Sequence, residues 1–198
     1  TTPAPPTSLD ALPNPICTGN DVTLTASGQG GATFTWTTPD GLNPTGNPLT
    51  RNSVTLAMGG NYTVIQTVLG CNSAPSAALN LVVTPTPLAP TGVTVSPNPI
   101  CTGNDITLSA IGQGGATFTW TTPDGATLNG NPVTRNNVTL AMAGIYSVTQ
   151  TVTGCTSPSA NSASLVVNAN PLAPTGVTVS PTPVCTGDSI TLSATGQG

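Results

Sequence analysis

The sequence contains no histidine, no lysine and no glutamate, and only two arginines, Arg51 and Arg135. Its six acidic residues are all aspartates: Asp10, Asp21, Asp40, Asp105, Asp124 and Asp188. General acid–base catalysis draws mainly on His, Glu, Asp and Lys. Only Asp is left, so no catalytic residue is expected and the chain is not expected to be an enzyme. Nucleic-acid binding needs basic side chains to displace counterions, and two arginines do not supply them. Zinc sites need His or clustered Cys, whereas the five cysteines stand isolated; no metal and no cofactor are expected. No apolar run approaches the ~20 residues of a membrane-spanning helix, so no membrane partner is expected. The opening TTPAPP has no Met, basic region or apolar segment and is not a signal peptide. The sequence reads as a window from a longer secreted polypeptide.

What is present in quantity is proline, glycine and alternation. The 21 Pro and 22 Gly would suit a low-complexity coil. Against that stand period-2 runs of β-branched residues such as VTLTA (22–26) and ITLSA (106–110), the pattern of half-buried strands.

The strongest signal is internal repetition. Cys17, Cys101 and Cys185 are evenly spaced in sequence (101 − 17 = 84 and 185 − 101 = 84), and Cys71 and Cys155 keep the same interval. So do the pairs Trp36 and Trp120, Arg51 and Arg135, and Tyr62 and Tyr146. The segment NPICTGND occurs at 14–21 and again at 98–105. The expected organisation is a first repeat at 1–87, a second at 88–171, and a partial third at 172–198 holding strands A and B only. The joints, TPTPLAPTG (84–92) and NANPLAPTG (168–176), favour extended, semi-rigid polyproline geometry.

Within the second repeat, strands are expected at 91–97, in DITLSAIG and ATFTWTT, in NNVTLAM, in AGIYSVTQTV and near SASLVVN. TPDG is a turn, with Pro second and Gly last. Seven or so short strands with no helix indicate an all-β antiparallel sandwich, and a repeat of this length suits one core.

The segments AMGGNYTV (57–64) and AMAGIYSV (141–148), with the tryptophans upstream, resemble an immunoglobulin-like domain at strand F. The resemblance implies that Trp36 and Trp120 are the buried strand-C tryptophans. It also implies that Tyr62 and Tyr146 belong to the core and bond back to the loop before strand F. The positions of the usual buried disulfide are read as Ala26 and Val64, and Ala110 and Val148. Cysteine stands instead before strand B and after strand F. That arrangement is similar to the tandem Ig-like repeats of giant surface proteins in Bacteroidota, including gliding adhesins and type IX-secreted proteins.

In an Ig-like sandwich strands B and F run the same way, so Cys17 and Cys71 would lie at opposite ends, ~30 Å or more apart at ~3.3 Å per residue. A disulfide needs Cα atoms within roughly 4.4–6.8 Å. Stacking of consecutive repeats brings the A–B cysteine of one to the F–G cysteine of the next. This favours an interdomain Cys17–Cys155 pair, with the partners of Cys71, Cys101 and Cys185 outside the window. An intradomain bond, bonds between chains and free thiols remain alternatives. Any disulfide implies an oxidising, extracellular setting.

The remaining features are read plainly. Asp40, Asp124, Asp21 and Asp105 are turn residues, and Arg51 and Arg135 are expected in solvent, with pairing to a local Asp as the alternative, a surface pair of that kind contributing little. The GQGG runs (28–31 and 112–115) are flexible B–C connections, not phosphate loops, because no helix follows to supply a dipole. Outward threonines mark a solvated strand face. Asn61 and Asn137 head N-glycosylation sequons, and Ser189 is a candidate O-glycosylation site. The expected function is structural: a stalk or filament of a bacterial surface adhesin, partnered by neighbouring copies of itself, including lateral ones. The alternative is a polysaccharide-binding or spacer module of a secreted adhesin or hydrolase, with surface glycans as partners. An aromatic content of 3% disfavours the binding version.

Overall fold

The computed structural model describes residues 1–196, and they form an all-β protein. Contacts divide the chain into two units that interleave along the sequence. The first comprises Thr1–Thr91, Ile111–Thr119 and Val148–Ala160; the second comprises Gly92–Ala110, Trp120–Ser147 and the chain from Asn161 onward. The first unit thus holds all of the first repeat together with the B–C and F–G segments of the second.

The first repeat contributes nine strands to that unit: β1 (Thr7–Leu12), β2 (Ile16–Cys17), β3 (Val22–Ser27), β4 (Thr33–Thr37), β5 (Leu49–Arg51), β6 (Gly60–Val68), β7 (Cys71–Asn72), β8 (Leu79–Leu81) and β9 (Val83–Thr84). One sheet runs β1-β3-β5; the other runs β4-β6-β7, with β8 also on β6. Both are antiparallel, while β2 pairs with β9 in parallel. Strands A, B and E in one layer, C, F and G in the other, and a short parallel pairing of the chain entering B with the end of G make this an Ig-like sandwich.

Alternation positions the core. Val22 and Leu24 on β3 face Trp36 on β4 and Tyr62 and Val64 on β6, and all five are essentially fully buried. Trp36 lies directly opposite Val64 across the β4–β6 ladder. The deepest position near the middle of β3 is Leu24 rather than Ala26, which is only partly buried. Ala26 instead pairs through its backbone with the Asn47 side chain: its N–H donates to Oδ1 at 2.9 Å, and its carbonyl accepts from Nδ2 at 2.6 Å. The asparagine amide thereby continues the ladder just ahead of the start of β5 at Leu49.

The second repeat and the start of the third supply β10 (Thr91–Ser96), β11 (Ile100–Cys101), β12 (Ile106–Ile111), β13 (Thr117–Thr121), β14 (Thr127–Asn129), β15 (Val133–Arg135), β16 (Ser147–Val152), β17 (Cys155–Thr156), β18 (Ala160–Asn161), β19 (Val167–Asn168), β20 (Thr175–Ser180) and β21 (Thr191–Thr195). In the second unit β12 pairs antiparallel with β15, β11 pairs parallel with β19, and β20 pairs antiparallel with β21. Trp120 and Tyr146 are fully buried, as Trp36 and Tyr62 are.

Two local expectations are corrected. NNVTLAM is not a strand: the E strand is β15, and Leu140–Met142 forms one turn of 3-10 helix, as does Leu56–Met58 in the first repeat. Val138 is fully buried, and its backbone exchanges hydrogen bonds with Gly103 and Asn104. That contact fixes the segment across the end of the sandwich, and the turn then aims the Met142 carbonyl at Tyr146. The last strand is also broken. In the first repeat Ser73 and Ser76 donate their own N–H groups to the Gln66 and Val64 carbonyls. Their hydroxyls accept from the N–H groups of the same two residues and donate to the Ala74 and Ala77 carbonyls. Serine oxygens stand in for strand carbonyls while the chain between them loops outward.

Candidate functional site

The centre of interest is where Cys17 meets the second repeat. Cys17 is held by its own sandwich before any partner is considered. Asn14 acts as a strand substitute, donating from Nδ2 to the Asn80 carbonyl and accepting at Oδ1 from Val82 N–H, both at 2.9 Å. Thr18 N–H donates to the Thr84 carbonyl at 2.9 Å, and Gly19 N–H to the Val54 carbonyl at 2.8 Å. Gly19 has φ +88°, a conformation that glycine adopts at no steric cost. The A–B turn is therefore fastened to the end of strand G.

Cys155 sits at the foot of a tight hairpin. Val152 lies opposite Cys155 in the β16–β17 ladder, and the two turn residues, Thr153 and Gly154, have φ +48° and +82°. Positive φ at both central positions is the primed turn that matches strand twist. The sulfurs of Cys17 and Cys155 are joined, with Cα atoms 5.7 Å apart and a sequence separation of 138. Both lie in the first unit. The sulfur of Cys155 rests 3.9 Å from the Thr84 carbonyl oxygen, and the residue is 2% exposed. Cys71, Cys101 and Cys185 are free and exposed.

The proline joint is pinned as well. Thr86 N–H donates to Thr18 Oγ1 at 2.9 Å, and its hydroxyl donates to the Thr18 carbonyl at 2.8 Å. Two residues on, the Leu88 carbonyl accepts from Gln150 Nε2 at 2.7 Å. Gln150 is 2% exposed, and its Oε1 accepts from Gln113 N–H at 2.8 Å. One buried amide thus ties the joint to the GQGG turn of the second repeat. That turn is not the flexible connection expected. A Cβ on Gly112 would come within 2.3 Å of Gln150 Oε1 and 2.4 Å of the Phe118 ring, so only glycine fits there. Gln66 repeats the arrangement with the Ala4 carbonyl and Gln29 N–H.

The two glutamines and the two cap-like asparagines, Asn14 and Asn98, are functional positions that sequence reasoning missed. A signal was present. Tyr62, Val64 and Gln66 share the inward parity of one strand. A glutamine at an inward position, recurring at the equivalent place in the next repeat as Gln150, marks a buried amide with a fixed partner.

The arginines take the alternative of pairing with a local aspartate rather than the expected place in solvent. Arg51 is 8% exposed and forms an ion pair with Asp40; Arg135 pairs with Asp124 and is 12% exposed. Thr38 Oγ1 donates to Asp40 and to the Leu42 carbonyl. The Thr38 hydroxyl, and after it the Arg51 guanidinium, hold the Asp40 carboxyl below its usual pKa, and Thr122 and Arg135 do the same for Asp124. Tyr62 and Tyr146 donate to the Met58 and Met142 carbonyls at 2.8 and 2.9 Å, and burial raises both phenol pKa values. Asp21 and Asp105 accept from the Ser53 and Asn137 backbone N–H groups, as turn residues do. Asn61, Asn137 and Ser189 are all exposed. Among the described residues no cluster of His, Cys, Asp or Glu could hold a metal, and no helix is long and apolar enough to cross a membrane.

The chain matches no family model and no curated protein. Solved structures of similar shape include murine CEACAM1b (16% identity over 82% of this chain and 99% of that one, TM-score 0.46). A marsupial T cell receptor is 15% identical over 86% of this chain and 76% of its own, with a TM-score of 0.48. The three N-terminal domains of the bacteriophage RB49 Highly Immunogenic Outer Capsid protein are 19% identical over 82% of this chain and 59% of theirs, with a TM-score of 0.42.

Proposed function

We propose that the chain is a structural, non-enzymatic spacer: tandem Ig-like repeats, with folding units at 1–87, 88–171 and from 172 onward, in the stalk or filament of a bacterial surface adhesin outside the cell. The observation that carries this reading is the Cys17–Cys155 bond, which joins the first repeat to the second covalently. The hydrogen bonds of Thr86 and Leu88 add to it by fixing the intervening proline segment. Neighbouring copies of the repeat are the partners, in line and side by side. The polysaccharide-binding alternative gains nothing from the structure, because both tryptophans and both tyrosines are fully buried and so offer sugars no stacking face.

The mechanical consequence is specific. A disulfide with a sequence separation of 138 keeps that stretch out of the extensible chain when the two ends are pulled. The remainder, 198 − 138 = 60, is free to extend to about 210 Å at ~3.5 Å per residue. Stretching single molecules with and without reductant tests this. The spacer reading expects about 480 Å more extension after reduction; equal extension in both states refutes it.

A further inference from the structure

We infer that the fold locks the Cys17–Cys155 bond against reducing thiols: attack is directed to the Cys17 sulfur, and Cys155 is a poor leaving group held where it recloses the bond. The inference rests on the spacer reading and adds to it the condition under which the joint comes undone.

The two sulfurs are unequal. Cys155 is 2% exposed, whereas Cys17 is half-buried. Cys155 stands at the foot of the β16–β17 hairpin, opposite Val152. Its sulfur lies 3.9 Å from the Thr84 carbonyl oxygen, and Thr18 N–H holds that carbonyl in place at 2.9 Å. Access therefore directs an incoming thiolate to Cys17. The bond and the groups named around it all lie in the first unit and within the two complete repeats.

Exchange at Cys17 expels Cys155 as a thiolate. Burial disfavours a thiolate, and the partial negative charge on the Thr84 oxygen disfavours it further. A cation would offset that charge, but the chain's only two cationic side chains, Arg51 and Arg135, are engaged with Asp40 and Asp124. A leaving thiol of raised pKa departs slowly. The protonated thiol has the Thr84 carbonyl as its acceptor.

Cutting the bond does not part the two residues. Thr86 remains bonded to Thr18 through its N–H and its hydroxyl. Gln150, on the same hairpin as Cys155, still donates to the Leu88 carbonyl. Reclosure by a cysteine so held is intramolecular and outpaces a second thiol arriving from solution.

The chemistry balances as follows for a monothiol reductant. Its thiolate bonds to the Cys17 sulfur and releases the Cys155 thiolate, which takes a proton from water. A second reductant thiolate then attacks the reductant's sulfur in that mixed disulfide and releases the Cys17 thiolate. The protein loses one sulfur–sulfur bond, and the oxidised reductant gains one.

The test treats the full chain with 2-mercaptoethanol in buffer and in concentrated urea, blocks thiols at intervals and maps tryptic peptides. Oxidised glutathione in the same two solvents corrects for the effect of urea on the exchange itself. Trypsin cuts after Arg51 and Arg135, which places Cys17 in peptide 1–51 and Cys155 in peptide 136–198. The link between them should be lost about 100-fold more slowly in buffer than in urea, because the thiol must wait for the joint to open. The trapped adduct should sit on Cys17, with Cys155 recovered as a blocked thiol. Thr86→Val removes the hydroxyl bond to Thr18 and should raise the rate in buffer about 2- to 10-fold, with both tryptophans still buried by fluorescence. A corrected rate in buffer less than about tenfold below that in urea overturns the inference. So does an adduct carried by Cys155, or a Thr86→Val rate equal to that of the parent. The untreated map separates the two claims. Peptides 1–51 and 136–198 linked at the start but parted equally fast in both solvents reject only the lock; no link at the start rejects the spacer reading as well.

Discussion

Removing the disulfide should destabilise the second repeat far more than any single surface change. The perturbation is reduction, or the double substitution Cys17→Ala with Cys155→Ala. Consider the second repeat unfolding while the first stays folded. Cys17 then remains fixed at the end of its sandwich by Thr84 and Val54. The closed loop of unfolded chain runs from Thr86, which Thr18 holds to the first repeat, to Cys155. A loop of that span, roughly 70 residues, carries a closure entropy of about 4 kcal/mol at 25 °C, and native disulfides commonly deliver about 2–4 kcal/mol. Trp120 reports the transition, because its indole is fully buried and donates to the Gly130 carbonyl at 3.0 Å. With a urea slope of about 1 kcal/mol/M for a domain of this size, the midpoint should fall by about 2–4 M on reduction, and the double variant should no longer respond to reductant. A shift worth less than about 0.5 kcal/mol, well below the usual disulfide range, would refute the reasoning.

Three other perturbations have defined outcomes. Gln150→Leu removes the side-chain partner of the Leu88 carbonyl and of Gln113 N–H, which should cost roughly 0.5–1.5 kcal/mol per hydrogen bond and speed proteolysis within 84–92, read by time-resolved digestion. Gly112→Ala forces a Cβ against Phe118 and Gln150 and should destabilise by about 1–3 kcal/mol in a thermal melt, whereas Gly114→Ala meets open space and should be nearly neutral. Asp40 has a folded pKa below its ordinary value, so its contribution is present above about pH 4, the unfolded carboxylate value, and is lost as pH falls through the lower folded value. Asp40→Asn should therefore flatten the acid side of the stability curve below about pH 4, measured by urea melts across pH.

The constant interval from Cys17 to Cys101 and the alternation of VTLTA, TFTWT and NYTVIQ were enough to indicate repeated antiparallel sandwiches, while the buried Trp and Tyr and the shared direction of strands B and F came from the resemblance to an immunoglobulin-like domain. That direction, with stacking of consecutive repeats, favoured the pairing of Cys17 with Cys155. What sequence pattern left hidden was polar chemistry placed at apolar positions. Arg51 lies opposite Val22 at the end of β5 and is drawn in by Asp40, earlier in the chain and across a turn, a pairing that no local spacing rule announces. Gln66 and Gln150 hold inward positions because each satisfies a backbone carbonyl far upstream, Ala4 and Leu88 respectively. The 3-10 turns at Leu56–Met58 and Leu140–Met142 carry β-propensity nearby, yet the tyrosine hydroxyls and the buried Val54 and Val138 dictate their shape.

The most direct test of the covalent joint is a tryptic map of the protein without reduction, digested in denaturant with thiols blocked so that the buried Arg51 is cleaved. The expected result is peptide 1–51 bonded to peptide 136–198, with fragmentation assigning Cys17 to Cys155. Peptide 1–51 bonded to peptide 52–135 through Cys71, or recovered with a blocked Cys17 thiol, would contradict the account.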